Sequence, residues 1–327
     1  MAKLTVPKIF FLFNKKYGGV RLLCAYVRLG VLGRVVLECV KGILKRKPLG
    51  DIYDAFQLQV VAALQKKYKP LLRDRLAFYE NQSLPHQRAE VIWFCWLQGM
   101  ENAPEIIQVC LASLKKYLPE KEIRIVDDNN RHRYVAFPSH IEEKWAKKQI
   151  PPALFADLLR LELLARYGGT WMDPTVLCTG NNYVAGSLDA ALFFYQYKKS
   201  EDSPYAGISN WFITSSSNHP LLMALRDGLY AYWEDYDFVL EYFVFHRFFD
   251  LLAEERPQWI AAMPYAYSPD ALALGHHLDK PYKKEAWEKL LSKVSFHKLT
   301  YKMNDEVNNT PGNYYHHILG MYKDCRG

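Results

Sequence analysis

The sequence lacks the marks of a membrane-spanning or secreted protein. No apolar run in its 327 residues approaches the roughly 18 uncharged positions that a spanning helix needs. No small-residue cleavage site follows an apolar run, so a secretory signal is not expected. The six cysteines are widely spaced and form no C-x-x-C pair, which favours reduced, buried thiols. We therefore expect a cytoplasmic protein.

The sequence also lacks the motifs of two protein classes, dinucleotide-dependent dehydrogenases and nucleic-acid-binding proteins. No G-x-G-x-x-G follows any predicted strand, which disfavours a Rossmann dehydrogenase. No recognised nucleic-acid motif accompanies the basic residues, so we expect no nucleic acid partner. Half of the residues are hydrophobic and 15% are aromatic, which is enough to bury a sizeable core.

Acidic residues are scarce in the first 50 positions, which hold eleven Lys and Arg but only one acid, Glu38. Residues 31–44 place their apolar side chains on one helical stripe, and Arg34, Lys41 and Lys45 lie off it. Packing on the rest of the protein explains such a stripe as well as lipid contact does. The concentration of cations favours lipid. We expect residues 1–50 to lie on an anionic membrane surface, at the inner face of the cell membrane.

The chain divides by composition into a basic helical region, residues 1–80, and a main domain, residues 81–327. From residue 91 onward, patterns of buried strands alternate with helical patterns. This alternation predicts an α/β fold with a mixed, mostly parallel sheet flanked by helices. Ligands of such sheets collect at the carboxyl ends of strands, so Trp96, Gln98 and Gly99, at the end of the first strand, lie near a candidate site.

The most informative segment is residues 151–180. It predicts a helix that ends at Gly168, then a short strand that delivers Asp173 at its end. Asp157 and Arg160 are three residues apart and share a helix face. A surface ion pair of this kind would contribute little. Leucines surround both residues, however, and buried charges normally have a partner or a task.

Three separated motifs resemble those of the capsular polysaccharide synthesis proteins, a group similar to the family-32 glycosyltransferases with the DXD sugar-binding signature. The motifs are W-F-C-W-L-Q-G at 93–99, A-D-L-L-R through Y-G-G and Trp171 to D-P-T at 156–175, and S-F-H-K-L-T at 295–300. Their order makes the resemblance more specific than any one motif. It implies a GT-A type fold and transfer of a hexose, with galactose or glucose as our guess, from a nucleotide diphosphate sugar. The expected acceptor is a lipid-linked saccharide, a precursor of capsular or cell-surface polysaccharide, and the expected outcome is retention of anomeric configuration.

The resemblance also implies the residues of the donor site. These are Trp96, Gln98, Gly99, Asp157, Arg160, Gly169, Trp171, Lys298 and Lys302. A uridine diphosphate donor is expected, and its leaving diphosphate needs positive charge. Mn²⁺ or Mg²⁺ held by Asp173 would supply that charge. Thr175 replaces the second aspartate of the signature, which weakens the case for metal.

His297 is our candidate to complete the metal shell, and with Asp173 it is the predicted catalytic pair. Two other interpretations stay open. His297, Lys298 and Lys302 could bind the diphosphate directly, or His297 could be an ordinary packed residue. On the acceptor side we expect Asn210, Trp211 and His246, since aromatic faces pack well on sugar rings.

Two rival functions remain. A sugar-phosphate transferase would use the same donor but leave phosphorus in the new linkage. A non-catalytic, membrane-associated adaptor of polysaccharide assembly would need neither Asp173 nor His297.

Overall fold

The structure is a computed structural model that describes residues 19–197, 207–303, 307 and 310–322. Residues 1–18, part of the predicted membrane-contacting segment, lie outside the described residues. The described helices and strands form two compact units. Among the described residues, no helix is both long enough and apolar enough to cross a bilayer.

The first unit is helical and combines the described part of Met1–Tyr79 with Phe137–Phe155 and Ala224–Glu255. The predicted boundary near residue 80 did not include the last two segments. The helices that lie wholly or mainly in this unit are α1 (Val20–Arg28), α2 (Leu32–Leu44), α3 (Leu49–Glu80), α5 (Ser139–Ala146), α7 (Pro220–Asp235) and α8 (Val244–Glu255).

Helix α3, with 32 residues, is the longest helix described in this first unit. Its buried side chains recur every four residues, at Val60, Leu64, Tyr68 and Leu72, and so form one face of the helix. At Gly228 of α7, an added Cβ would lie 2.5 Å from Leu72 Cδ2. Glycine at this position therefore lets the two helices pack closely.

Helices α1 and α2 bury only part of their apolar surface. The predicted stripe over residues 31–44 divides in the structure, because Val31 and Val35 are buried whereas its other members are partly or largely exposed. Five apolar side chains of α2 remain substantially exposed: Val36, Leu37, Val40, Ile43 and Leu44.

The second unit contains the sheet and comprises Glu80–Ala136, Ala156–Met223 and the described part of Arg256–Gly327. Its strands are β1 (Val91–Cys95), β2 (Glu122–Val126), β3 (Gly169–Met172), β4 (Val176–Cys178), β5 (Leu192–Gln196), β6 (Ile208–Ser215) and β7 (Phe296–Lys298). Its helices are α4 (Glu105–Tyr117), α9 (Pro257–Ala262), α10 (Ser268–Leu272), α11 (Lys284–Leu291), α12 (Tyr314–Met321) and most of α6 (Pro152–Tyr167).

Five strands form a mixed sheet in the order β2-β1-β3-β6-β5. Strands β2, β1 and β3 are parallel to one another, and β6 is antiparallel to both β3 and β5. Four of the five strands therefore run in one direction, which confirms the predicted mixed α/β sheet. A second, two-stranded sheet pairs β4 with β7 in antiparallel register.

The two faces of strands β1 and β3 pack against different helices. Ile92 and Phe94 of β1 and Met172 of β3 belong to the core that includes α4 and α12. The intervening residue Trp93 points to the other face, where its ring lies 5.5 Å from that of Tyr167 on α6. Helix α6 ends at Tyr167. The next residue, Gly168, has a φ of 71°, which suits glycine, and β3 begins at Gly169.

Candidate functional site

Asp173 lies at the carboxyl end of the central strand, immediately after β3. Its backbone N–H donates to the carbonyl of Trp211 on β6, with an N···O distance of 2.8 Å. The indole Nε1 of Trp171 donates to Asp173 Oδ1 at 2.9 Å. The side chain of Asp173 is 20% exposed. The carboxylate is therefore held in place by β3 and β6 while part of it reaches solvent.

Arg160 on α6 links three elements through its guanidinium group. Its Nη2 lies 3.3 Å from Asp157 Oδ1 and 3.4 Å from Asp173 Oδ1. Its Nη1 donates to the carbonyl of Asn210 on β6. The guanidinium also lies over the ring of Trp171, 5.0 Å from the ring centroid. The predicted convergence of Asp157, Arg160 and Asp173 is thus present in the structure.

Lys298 approaches the same carboxylate from the second sheet. Its Nζ donates to Asp173 Oδ2 at 2.8 Å and to Thr175 Oγ1 at 2.6 Å. Strand pairing holds this lysine, because Val176 lies opposite Lys298 and the N–H of Leu299 donates to the carbonyl of Thr175 at 2.8 Å. We call Asp157, Arg160, Asp173, Thr175 and Lys298 the polar cluster.

The two acids of the polar cluster have opposite pKa shifts. Burial alone would raise the pKa of Asp173, but Lys298 and Arg160 outweigh it and hold that pKa below its ordinary value. Burial raises the pKa of Asp157 to about 7, although Arg160 acts against the shift. The amide Nδ2 of Asn210 donates to Asp157 Oδ1 at 2.9 Å. Asp173 is therefore a stable anion, and Asp157 is an acid whose charge changes near neutral pH.

His297 does not join Asp173 in the structure. It precedes Lys298 on β7, and successive side chains of a strand point to opposite faces. His297 is completely buried, and its Nε2 lies 3.1 Å from Thr179 Oγ1. Burial lowers its pKa to about 4. This placement agrees with the packed-residue interpretation and does not bring together the predicted metal pair of Asp173 and His297.

The end of β1 lies at the same edge of the sheet as Asp173, because Phe94 is paired with Met172 in parallel register. Trp96 is half-buried there, and its ring lies edge-on to that of Tyr301, with centroids 5.1 Å apart. Gln98 is exposed, and Gly99 has a φ of 81°. No sequence pattern predicted a role for Tyr301, which follows the third motif.

The other predicted residues lie in different surroundings. Gly169 begins β3, at the opposite end of that strand from Asp173. Trp171 contacts the polar cluster, but it is buried beneath Arg160 and so orients Asp173 and Arg160. Lys302 is exposed beyond β7.

The three residues predicted to bind the acceptor lie in different surroundings. Asn210 is part of the support for Asp157 and Arg160. Trp211 is 5% exposed and stacks on Tyr195, with ring centroids 4.5 Å apart. His246 lies on α8 in the first unit. Of the two that lie in the second unit, Asn210 brings its side chain to the polar cluster, whereas Trp211 contacts Asp173 through its backbone carbonyl.

Fold and site together define an α/β protein with a charged, partly exposed site at the carboxyl edge of its sheet. The model of the family described as "Capsular polysaccharide synthesis protein" matches residues 45–318. The chain therefore belongs to the capsular polysaccharide synthesis protein family, as the three motifs predicted. The match includes the whole polar cluster.

Two further comparisons add no argument about activity. The solved structure titled "PaToxG Glycosyltransferase" is similar at 16% identity and a TM-score of 0.36, over 80% of this chain and 96% of that one. No protein among curated sequences matches.

Proposed function

We propose that this protein is a glycosyltransferase that moves a hexose from a nucleotide diphosphate sugar to a saccharide precursor of a capsular or cell-surface polysaccharide. The observation that carries the proposal is the convergence of Asp157, Arg160 and Asp173 at the carboxyl edge of the sheet. Membership of the capsular polysaccharide synthesis family supports it. The fold that we infer is of the GT-A type.

The polar cluster has the chemistry that an activated sugar requires. Arg160 adds positive charge next to Asp173 and is fixed by Asp157, Asp173 and the backbone carbonyls of Asn210 and Ala156. Lys298 adds a second positive charge, and its side chain is partly exposed. Asp173 offers carboxylate oxygens to sugar or ribose hydroxyls. Trp96 and Tyr301 provide aromatic surface beside the exposed Gln98, at the edge where we place the base and ribose.

The donor in this proposal is a uridine diphosphate hexose, with galactose or glucose as the sugar, and the transfer retains anomeric configuration. These features come from the family resemblance. The product distinguishes this reaction from sugar-phosphate transfer, since only the latter leaves phosphorus in the new linkage.

A screen of nucleotide sugars by calorimetric titration tests the proposal. We expect one nucleoside diphosphate sugar to bind wild-type protein, and Asp173→Asn to weaken that binding at least about tenfold, the loss of one strong charged contact. The matched control is Asp279→Asn, which changes an exposed aspartate paired with Lys280. If no nucleotide sugar binds to the wild-type protein, the proposal is contradicted.

We also propose that the first unit holds the protein on anionic lipid, where a lipid-linked acceptor would be found. Helix α2 exposes Val36, Val40 and Ile43 on one side. Residues 19–50 contain seven Lys and Arg but one acid, Glu38, so their net charge is positive. An exposed apolar face with adjoining cations suits the boundary between acyl chains and anionic headgroups. Localisation at the inner face of the cell membrane follows from this proposal.

A further inference from the structure

The oxygen atoms that would hold a divalent cation already have cationic or polar partners. Asp173 Oδ1 accepts from Trp171 Nε1 and lies beside Arg160 Nη2, and Asp173 Oδ2 accepts from Lys298 Nζ. The hydroxyl of Thr175 is the second oxygen contacted by Lys298. The ammonium group of Lys298 thus lies between the first and third residues of the D-P-T motif, where a metal ion would be expected.

The donor set around Asp173 also fits a metal poorly. Mg²⁺ and Mn²⁺ prefer several oxygen ligands, including carboxylates, and the side chains of the D-P-T motif offer one carboxylate and one neutral hydroxyl. Asp157 is engaged by Arg160 and by the amide of Asn210. Within residues 19–197, 207–303, 307 and 310–322, no group of three or more His, Cys, Asp or Glu side chains is placed to hold a metal ion.

The net charge of the polar cluster also disfavours a divalent cation. Lys298 and Arg160 carry two positive charges, Asp173 one negative charge, and Asp157 at most one more. A divalent cation would add positive charge to a cluster that is already neutral or cationic. A diphosphate would instead bring the negative charge that Arg160 and Lys298 can balance.

We propose that Lys298 replaces the divalent cation and neutralises the donor's diphosphate directly. This inference rests on the proposed glycosyltransferase function. An ammonium group has three N–H donors; two are directed at Asp173 and Thr175, and the remaining one is available to a phosphate oxygen. The 21% exposure of the Lys298 side chain leaves access for that contact.

The transfer step balances without a metal ion. The bond between the anomeric carbon and the phosphate oxygen breaks, and its electron pair stays on the departing diphosphate. Lys298 and Arg160 stabilise that developing charge. An acceptor hydroxyl oxygen forms the new bond to the anomeric carbon, and its proton passes to an oxygen of the departing diphosphate.

Equilibrium binding of uridine diphosphate, measured by calorimetry in EDTA and again with Mn²⁺, tests the inference. We expect the Kd of the wild-type protein to differ by less than about twofold between the two conditions. In EDTA, Lys298→Met should weaken binding about tenfold or more, the size expected for loss of a charged hydrogen bond. Lys289→Met, at an exposed position on α11, is the matched control and should leave Kd unchanged.

The outcomes separate this inference from the proposed function. Binding that appears only with Mn²⁺ would overturn the role of Lys298 and leave the glycosyltransferase proposal standing. An unchanged Kd for Lys298→Met in EDTA would also overturn the role of Lys298 without affecting the glycosyltransferase proposal. If neither uridine diphosphate nor any other nucleoside diphosphate binds in either condition, both proposals fail. The wild-type comparison needs no variant, so a folding defect in Lys298→Met cannot hide the answer.

Discussion

Arg160 and Asp173 lie 3.4 Å apart, from Nη2 to Oδ1, although one is on helix α6 and the other follows strand β3. The intervening turn at Gly168 and Gly169 reverses the chain, so that the carboxyl end of β3 returns to a residue two turns before the end of the helix. This pairing is the centre of the site, because Arg160 also contacts Asp157 and Asn210.

Replacing Arg160 by methionine should lower the free energy of unfolding by about 3–5 kcal/mol, because it leaves the buried carboxyl of Asp157 without its cation, whereas Asp173 keeps Lys298. Urea denaturation measures the change. The matched control is Arg124→Met. Arg124 also pairs with a carboxylate, Glu122, and lies over an aromatic ring, 5.4 Å from the centroid of Trp93, but its pair is exposed. Its loss should cost no more than about 1 kcal/mol, and equal losses in the two variants would contradict a structural role for the buried pair.

The stability of the protein should depend on pH through Asp157. Its pKa is about 7 in the folded state but about 3.9 when unfolded, so the folded state binds more protons between these values. Stability therefore falls as pH rises from about 4 to 7, by at most about 1.4 kcal/mol per pH unit. Asp157→Asn cannot titrate and should lose this contribution. Urea denaturation of both proteins across that range measures it; a difference in stability between them that stays constant with pH would refute the shift.

Gly169→Ala should destabilise the protein by about 2 kcal/mol or more. The φ of Gly169 is 92°, and an added Cβ would lie 2.6 Å from Val91 Cγ1, so backbone strain and a steric clash combine. At Gly180 the nearest atom to an added Cβ is 3.7 Å away, and Gly180→Ala should change stability little. Thermal unfolding of both variants checks this. A stable Gly169→Ala that loses nucleotide binding would instead support the donor role predicted from the motif.

Binding to lipid vesicles should depend on the exposed apolar side of α2. Changing Val36, Val40 and Ile43 to glutamine should abolish co-sedimentation of the full chain with vesicles of phosphatidylcholine and phosphatidylglycerol. Leu58→Gln, at a position 55% exposed on α3, is the control and should bind like the wild type. Binding should weaken as salt is raised. Retained binding by the triple variant, or a change in its oligomeric state instead, would contradict the membrane proposal.

The part of the site that the sequence predicts is local in the chain. The spacing of Asp157 and Arg160 on one helix, and the strand that ends at Asp173, both follow from periodicity and glycine positions. The contact of Lys298 with Asp173 joins residues 125 positions apart, and no local pattern indicates it. His297 and Lys298 point to opposite faces because they are adjacent on a strand. The sequence does not predict this strand, because β7 is three residues long and has no clear strand pattern.

Local sequence patterns also could not predict how the chain divides into two units. Helices α5 and α8 and most of α7 follow the first strand in sequence, yet they belong to the same unit as α3. Tertiary contacts decide this, such as the hydrogen bond from the Tyr68 hydroxyl to Asp235 Oδ2, which joins residues 167 positions apart.

The central claim is that the polar cluster acts on an activated sugar, and release of nucleoside diphosphate from a nucleotide sugar tests it most directly. We predict that the wild-type protein hydrolyses one uridine diphosphate hexose, that Asp279→Asn does so at the same rate, and that Asp173→Asn is slower by at least about a hundredfold, as for loss of a group that orients the reacting atoms. Equal rates for Asp173→Asn and the wild type would contradict the account.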